Sequence, residues 1–474
     1  MSRRYGAAIL GAGPAGLYLA LSLLRSRELD GPAIVIERES FVGGLASSFV
    51  HEGLSFDLGS HRLHPSIAPH ILADLEVLLD GGLVYRPRNG RIRLLGRYVS
   101  FPISLGNMAR RLPARFVAGV MRDALAKPWR KGEAPSSFAD ALRQGLGPTI
   151  CESFYFPYAR KLWGLEPNRI AVLQAEKRVS GRTIGRILKR IVVARTRPGA
   201  PGTGFYYPDG GFGRISASIA AEVERLGGKI ERDTTVAGLR RLREDGWRVG
   251  LETTDGGAAS FDAGLVFSTL PVSALARALG GEVPIAARAA FDGLRYRGML
   301  LVYLVLDVDR FTPFDAHYFP SEDVVFSRLS EPKNYAASPL PPGRTGLCVE
   351  IPATPGDELW NLEGHELVDR VLTDLRKVAL PADGHVVGSL VRRLPSVYPV
   401  YDLGVERRMS EVESFLDTLP YLVSLGRQAL FLHDNTHHTL EAAWLAASCV
   451  RAARFDHERW RSHRARIQGN VVED

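Results

Sequence analysis

Cysteine is scarce in this 474-residue chain: Cys151, Cys348 and Cys449 are the whole complement, and they lie far apart. There is no CxxC pair, no disulfide framework and no zinc-ligand spacing, which fits a reducing, cytoplasmic setting. Long apolar runs are missing too. The stretch from Ala7 to Leu24 is interrupted by Gly11, Gly13, Pro14 and Gly16, so neither a signal peptide nor an integral membrane segment is expected there. There is no long polar tract, no internal repeat and no nucleic-acid-binding motif. Acidic residues are in deficit: 60 Lys and Arg stand against 52 Asp and Glu, a formal charge of +8. That balance suits a phosphorylated small molecule, nucleic acid or an anionic membrane, and suits equally well a merely arginine-rich composition.

What remains is the make-up of a globular chain, 45% hydrophobic and 24% charged, long enough for two or three domains and a large core at roughly 150 residues per domain. The opening segment carries the most information. Tyr5 to Leu10 is expected to be a short buried strand, GAGPAG follows as Gly11 to Gly16, and Leu17 to Leu24 is an apolar helix. A second strand, Ala33 to Ile36, ends at Glu37. Each part answers a need of a dinucleotide site. Gly11 permits the tight turn, Gly13 lets backbone N–H groups approach a pyrophosphate, and Gly16 allows close helix–strand packing. The helix start presents unpaired N–H donors to the phosphates, and Glu37 can accept from ribose hydroxyls. Arg38 follows, then FVGGLASSF with Gly43 and Gly44. This second glycine pair resembles the FAD-binding group related to glutathione reductase and the amine oxidases, and so implies FAD rather than NAD.

Further along, about Ser100 to Val193 is expected to be mostly helical, with a basic amphipathic stretch at Arg182 to Arg197. That stretch is a solvated helix face, or else faces phosphate or a membrane surface. Pro198 to Gly204 is expected to be a loop, Phe261 to Pro271 a buried strand ending in a turn, Leu294 to Ile351 strand-rich, and Glu363 to Val378 a helix. The last elements are a strand, a loop and a helix.

Several separated motifs resemble the flavoproteins that include UDP-galactopyranose mutase, with protoporphyrinogen-oxidase-like and amine-oxidase-like enzymes as broader relatives. The resemblance spans essentially the whole chain. FDLGSHRLHP, Phe56 to Pro65, is similar to the loop that lays a histidine against the flavin, a place for His61 in preference to His64. FPYARKLWGLEP, Phe156 to Pro167, is similar to a segment whose tyrosine and tryptophan contact the nucleotide base; Tyr158 and Trp163 match. The resemblance further implies a diphosphate-gripping Arg178 and an Arg297 reaching sugar diphosphate and flavin. Tyr398 and Tyr401 are either substrate hydrogen-bond donors or core residues. Gly426 and Arg427 match the C-terminal flavin segment and are expected FAD contacts, as are Asn435 in that segment and Val236 far upstream, while His433 is an expected substrate contact. The mutases carry a tyrosine and an aspartate where this chain has His433 and Asn435, a departure that weakens UDP-galactose itself as the substrate. His433, His437 and His438 crowd into six residues, but no carboxylate or cysteine cluster accompanies them, and no metal site is expected.

The resemblance implies rearrangement of a nucleotide-linked sugar through reduced flavin, with Arg178 and Arg297 holding the diphosphate and His61 beside the ring. The competing reading is a redox flavoenzyme, an oxidase, dehydrogenase or desaturase, in which His61 and the C-terminal histidines accept protons. A non-catalytic nucleotide-binding module suits neither the size nor the polar residues. The expected fold is α/β: a doubly wound, Rossmann-like FAD domain built from 1–95, 205–285 and 405–465. A mainly helical insertion over 96–204 and a strand-rich substrate domain over 286–404 complete it. The expected partner is a small molecule, with neither nucleic acid nor a membrane span involved and with a homo-oligomer compatible.

Overall fold

The first strand is apolar on both faces because it lies inside a parallel sheet, and that sheet organises the chain. The structure, a computed structural model, describes residues 4–101, 110–127, 133–178, 204–243, 245–336 and 341–472. The expected basic stretch Arg182 to Arg197 and most of the Pro198 to Gly204 loop lie outside the described residues.

In chain order the strands that matter are β1 (Arg4–Leu10), β2 (Ala33–Ile36), β3 (Ser48–His51), β4 (Leu54–Asp57), β5 (Leu83–Pro87), β6 (Gly90–Leu94), β7 (Arg97–Phe101), β8 (Gly204–Pro208) and β9 (Lys229–Glu231). They continue with β10 (Thr234–Arg241), β11 (Trp247–Thr253), β12 (Ala258–Ser268), β13 (Tyr296–Leu306), β14 (Ala316–Tyr318), β15 (Arg328–Ser330), β16 (Thr345–Ala353), β17 (Val386–Pro399) and β18 (Leu422–Ser424). The first sheet runs β10-β11-β12-β1-β2-β9, with β18 also on β12. Pairings among β9, β2, β1, β12 and β18 are parallel, while β10 and β11 add antiparallel. β12 serves two neighbours on one edge: Ala258 to Ala263 pair with β11, and Val266 to Ser268 with β18.

The helix α1 (Pro14–Ser26) is longer than the apolar periodicity alone suggests, because Pro14 at its first turn is already set to helical φ. It packs against the helices Arg214–Arg225 and Thr436–Ser448. Residues from the beginning, middle and end of the chain thus share one core.

The second sheet runs β17-β13-β16-β15-β14-β6-β7, all antiparallel except β14 beside β6. Its interior strand β13 is a continuous apolar run because both faces are covered. Leu300, Val302, Leu304 and Leu306 meet the helix Gly364–Lys377 through Leu367, Val371 and Leu375. Met299, Leu301, Tyr303 and Val305 meet Leu54 and Phe56 of the β3–β4 hairpin. A third cluster, including Phe138, Phe156, Ala159, Leu162 and Trp163, holds the helical segment together. That segment docks through the Ala171 N–H to the Tyr401 carbonyl at 2.8 Å. Residues 90–101 pair into the second sheet, so Ser100 and Phe101 are strand and not helix as expected: the turn at Leu95-Gly96 folds them back on β6.

Candidate active site

The glycine loop at the C-terminal end of β1 has three positions with three different surroundings. Gly11 has φ +104° and donates to the Ile36 carbonyl at 2.8 Å. A Cβ on Gly16 would run into the Gly11 carbonyl oxygen and stand 3.1 Å from Ile9 Cγ2, so this glycine exists for close packing. A Cβ on Gly13 would meet no protein atom within 4 Å. Gly13 is the N-cap of α1 and supplies no side-chain cap bond to the first turn, where Pro14 has no N–H of its own. Gly43 donates to the Ala12 carbonyl at 2.8 Å, and a Cβ on Gly44 would lie 3.4 Å from Gly13 Cα. The two glycine pairs therefore face one another.

Glu37 closes this cradle. Its carboxylate accepts from Ala12 N at 2.8 Å and Glu39 N at 3.0 Å, and burial raises its pKa despite those bonds. Arg38 turns outward and pairs with Glu39 at 2.7 Å. The start of β10 lies alongside, Thr234 N donating to the Glu37 carbonyl at 2.9 Å, with Val236 two residues further on. Gly426 comes from the far end of the chain, and a Cβ there would stand 3.0 Å from Ala15 Cβ. Asn435 caps the helix Thr436–Ser448 in a reciprocal arrangement with His438. An open Gly13, an uncapped helix start and a placed carboxylate fit a dinucleotide pyrophosphate and its ribose.

Beyond β4 the chain enters a buried polar region. The Asp57 carboxylate accepts from Ser48 Oγ at 2.6 Å, Tyr207 OH at 2.8 Å and Phe212 N at 3.0 Å, and burial raises its pKa. His61 stacks on Phe212 with ring centroids 5.3 Å apart. Its Nε2 lies 2.9 Å from the Leu58 carbonyl. A carbonyl only accepts, so Nε2 carries the proton and Nδ1 keeps its lone pair. Burial lowers the pKa of this ring and favours the neutral form. His64 sits apart, its Nδ1 2.7 Å from Ser66 Oγ, which in turn is 3.1 Å from His437 Nε2.

The helical segment, the second sheet and the C-terminal segment bring arginines and tyrosines together. The guanidinium carbons of Arg178 and Arg427 lie 5.8 and 5.4 Å from the Tyr398 ring centre. Arg427 donates to the Asp434 and Val397 carbonyls, both at 3.2 Å, and its buried Nε has no partner among the described residues. Burial pulls its pKa down. Tyr158 is within electrostatic reach of Tyr398, Arg328, Tyr318 and Arg178, and burial raises its pKa. Buried His433 meets Tyr401 edge-on at 4.7 Å and is held neutral by burial and by Arg178, Arg427 and Lys177.

Not every expected residue joins this cluster. The Tyr401 hydroxyl turns into the core and donates to the Phe431 carbonyl at 2.8 Å. Trp163 meets Phe138 edge-on at 5.6 Å inside the helical cluster. Arg297 lies cross-strand from Tyr398 but points to Thr354, to the Pro352 carbonyl at 3.3 Å and to Asp357 at 3.7 Å, against Gly164.

Four residues that the sequence motifs did not single out stand in the cluster. Arg328 forms a two-point pair with Glu350 at 2.8 and 2.7 Å, and Glu350 also accepts from Ser60 N at 2.8 Å. Arg62 donates to Tyr318 OH at 3.1 Å and approaches Asp315 at 3.4 Å. Asp434 is buried, and that burial raises its pKa to about 6. Arg62 was in plain view beside His61 in the same motif; Arg328 and Glu350 meet only through the β15–β16 pairing.

Two facing glycine loops at a helix start, a carboxylate after β2 and a substrate sheet stacked over them define an FAD-dependent enzyme. The profile of the family described as flavin containing amine oxidoreductase matches residues 14–448, and the chain belongs to that family. A phytoene desaturase of Cercospora nicotianae is 21% identical, the alignment covering 93% of this chain and 74% of the relative. The chloroplastic protoporphyrinogen oxidase 1 of Arabidopsis thaliana is 24% identical, with 90% and 83% covered. Among solved structures, reduced UDP-galactopyranose mutase superposes with a TM-score of 0.80 at 20% identity, covering 100% of this chain and 98% of the other. A putative protoporphyrinogen oxidase from Exiguobacterium sp. 255-15 gives 0.71 at 18%, covering 94% and 98%. These structural likenesses are likenesses of fold. Among the described residues no helix is long and apolar enough to cross a membrane, and no group of three or more His, Cys, Asp or Glu could hold a metal.

Proposed function

We propose that the enzyme rearranges a nucleotide-linked sugar, in a pyranose–furanose type of isomerisation that needs FAD in its reduced form. The observation that carries this reading is buried Arg427 beside Arg178 on the Tyr398 ring. Among the described residues Arg427 donates to two backbone carbonyls and its Nε has no partner, leaving a donor edge and a positive charge for an anion such as a bound ligand to meet. A diphosphate is such an anion, matched to the guanidinium fork.

FAD, held by Gly11, Gly13, Gly16, Glu37, Gly43, Gly44 and Gly426, with Arg38, Val236 and Asn435 at its borders, supplies when reduced a nucleophilic ring nitrogen. The protein's own work is positional and electrostatic. Arg178 and Arg427 hold the diphosphate as it takes on charge, each charge-assisted hydrogen bond contributing about 1.5–3 kcal/mol. Tyr158 and Tyr398 donate to its oxygens. Neutral His61 offers Nδ1 as an acceptor beside the ring, and His433 lines the sugar end. Arg297 braces Gly164 and the Thr354 turn, and with Trp163 it sets the helical segment over the site.

A redox flavoenzyme is the second reading, supported by the desaturase and oxidase names of the sequence relatives. One anaerobic experiment separates the two. The protein is reduced with dithionite and offered a panel of UDP-, GDP- and dTDP-sugars, with products analysed by chromatography and mass detection. Isomers of unchanged mass, formed only by reduced protein, are expected. No isomer across the panel, with oxidised protein bleaching on an amine, an alcohol or a partly saturated ring, would overturn the first reading in favour of the second.

A further inference from the structure

The helix Ala114–Leu125 lies far from the glycine loops in sequence and has two unlike faces. Its inner face is fixed. Phe116 is buried with Ile92, Leu94, Val99 and Leu112, and Val117 and Val120 pack beside them. The only acid on the helix, Asp123, also turns inward and accepts the Thr149 N–H at 2.7 Å. Its other oxygen lies 3.4 Å from Arg122.

The outer face is apolar where water should favour polar side chains. Ala114, Ala118, Met121 and Leu125 are all exposed, at a spacing that places them in one stripe along the helix. Met121 and Leu125 are 62% and 73% exposed. Five cations border the stripe, Arg110, Arg111, Arg115, Arg122 and Lys127, every one exposed. Arg97 of the β6–β7 hairpin donates to the Arg111 carbonyl at 3.0 Å and brings the hairpin tip, with exposed Leu95, to the start of this helix. No exposed acid lies on residues 110–127.

We infer that this face docks the enzyme on an anionic lipid surface, with Met121 and Leu125 entering the headgroup–acyl boundary and the flanking arginines meeting lipid phosphates. The combination selects the occupant. An apolar stripe on a rigid helix, rimmed by one sign of charge, is what an interfacial helix requires. A nucleic acid would satisfy the cations but bury neither Met121 nor Leu125. A second copy across a two-fold axis would set the same five cations against each other, at a repulsive cost.

The test uses the FAD-loaded full-length protein in flotation with phosphatidylcholine vesicles and with mixed phosphatidylcholine–phosphatidylglycerol vesicles. Binding to the anionic vesicles is expected, weakening as salt shortens the screening length, with little binding to the neutral ones. The double variant Met121→Glu/Leu125→Glu should bind about tenfold more weakly or worse, and Arg115→Gln/Arg122→Gln should lose most of the salt dependence. FAD absorbance and Tm should stay at wild-type values in both, since these side chains support no core. The inference is overturned by no wild-type flotation, by flotation unchanged in the glutamate variant, or by wild-type self-association in size-exclusion that the glutamate variant abolishes without any vesicle binding. Retention of single-stranded DNA in place of vesicles would do the same.

Discussion

Adding one methyl group at each of two glycines three residues apart should separate cofactor binding from folding. Gly13 and Gly16 both lie in the loop at the start of α1, yet their surroundings differ. Gly16→Ala pushes a Cβ into the Gly11 carbonyl oxygen and against Ile9. Neither neighbour can withdraw, because one is backbone and the other belongs to a buried strand, so overpacking should cost about 1–3 kcal/mol or more. Gly13→Ala meets no protein atom, and its φ of −72° suits any residue. Without FAD this variant should stay within about 1 kcal/mol of the parent, the loss of unfolded-chain freedom offsetting alanine's poorer capping. In the presence of FAD the order should reverse in meaning. A methyl at Gly13 occupies the space over the helix start and should weaken FAD by about tenfold or more, erasing the Tm gain that the cofactor brings by mass action. The assay is thermal unfolding of stripped protein across an FAD titration. Wild-type FAD affinity in Gly13→Ala, or equal destabilisation of both variants without FAD, would refute the reasoning.

Other perturbations test other parts. Buried His317, with no partner for either ring nitrogen among the described residues, has its pKa lowered to about 3 by burial and by Arg91. The folded state therefore refuses a proton that the unfolded chain accepts near pH 6.5. Stability held at neutral pH should fall by about 2 kcal/mol on acidification to about pH 5, the fall continuing toward the folded pKa. His317→Phe should flatten that slope in denaturant melts, and an unchanged slope would assign it elsewhere. Arg427→Lys keeps the charge but loses the fork, and should weaken UDP binding by about ten- to a hundredfold in calorimetry while Tm changes little; unaltered affinity would remove Arg427 from the anion site. Tyr401→Phe should cost about 1 kcal/mol of stability and leave UDP affinity intact, whereas Tyr398→Phe should do the reverse. The opposite pattern would exchange their roles.

The cofactor end was legible because each residue there answers a local demand: a turn at Gly11, an approach at Gly13, a close contact at Gly16, an acid at the end of β2. The arginine–tyrosine cluster was only partly legible, because its residues meet through pairing across long separations. Glu350 faces Arg328 because β15 and β16 are neighbours, and nothing near either residue announces the other. Arg62 was overlooked because its neighbour His61 carried the resemblance. Tyr398 closes the strand Val386–Pro399 while Tyr401 lies two residues past its end, and both rings meet His433, so only the Tyr401 bond to the Phe431 carbonyl tells them apart. Leu95 and Gly96 form a turn between two five-residue strands, too short a pattern to outweigh the helical periodicity that follows.

The long strand β12 leaves part of its edge for β18, which comes some 150 residues later in the chain by the register of Val266 with Leu422, and α1 is flanked by the still later helix Thr436–Ser448. A ribosome therefore releases the glycine loop long before it releases Gly426, which abuts Ala15, or the helix that covers α1. The emerging chain carries an unpaired strand edge and an uncovered apolar helix flank for most of its synthesis, the state in which nascent proteins aggregate or recruit chaperones. The glycine cradle is therefore complete, with Gly426 against Ala15 and α1 covered, only once the last fifty residues have been made.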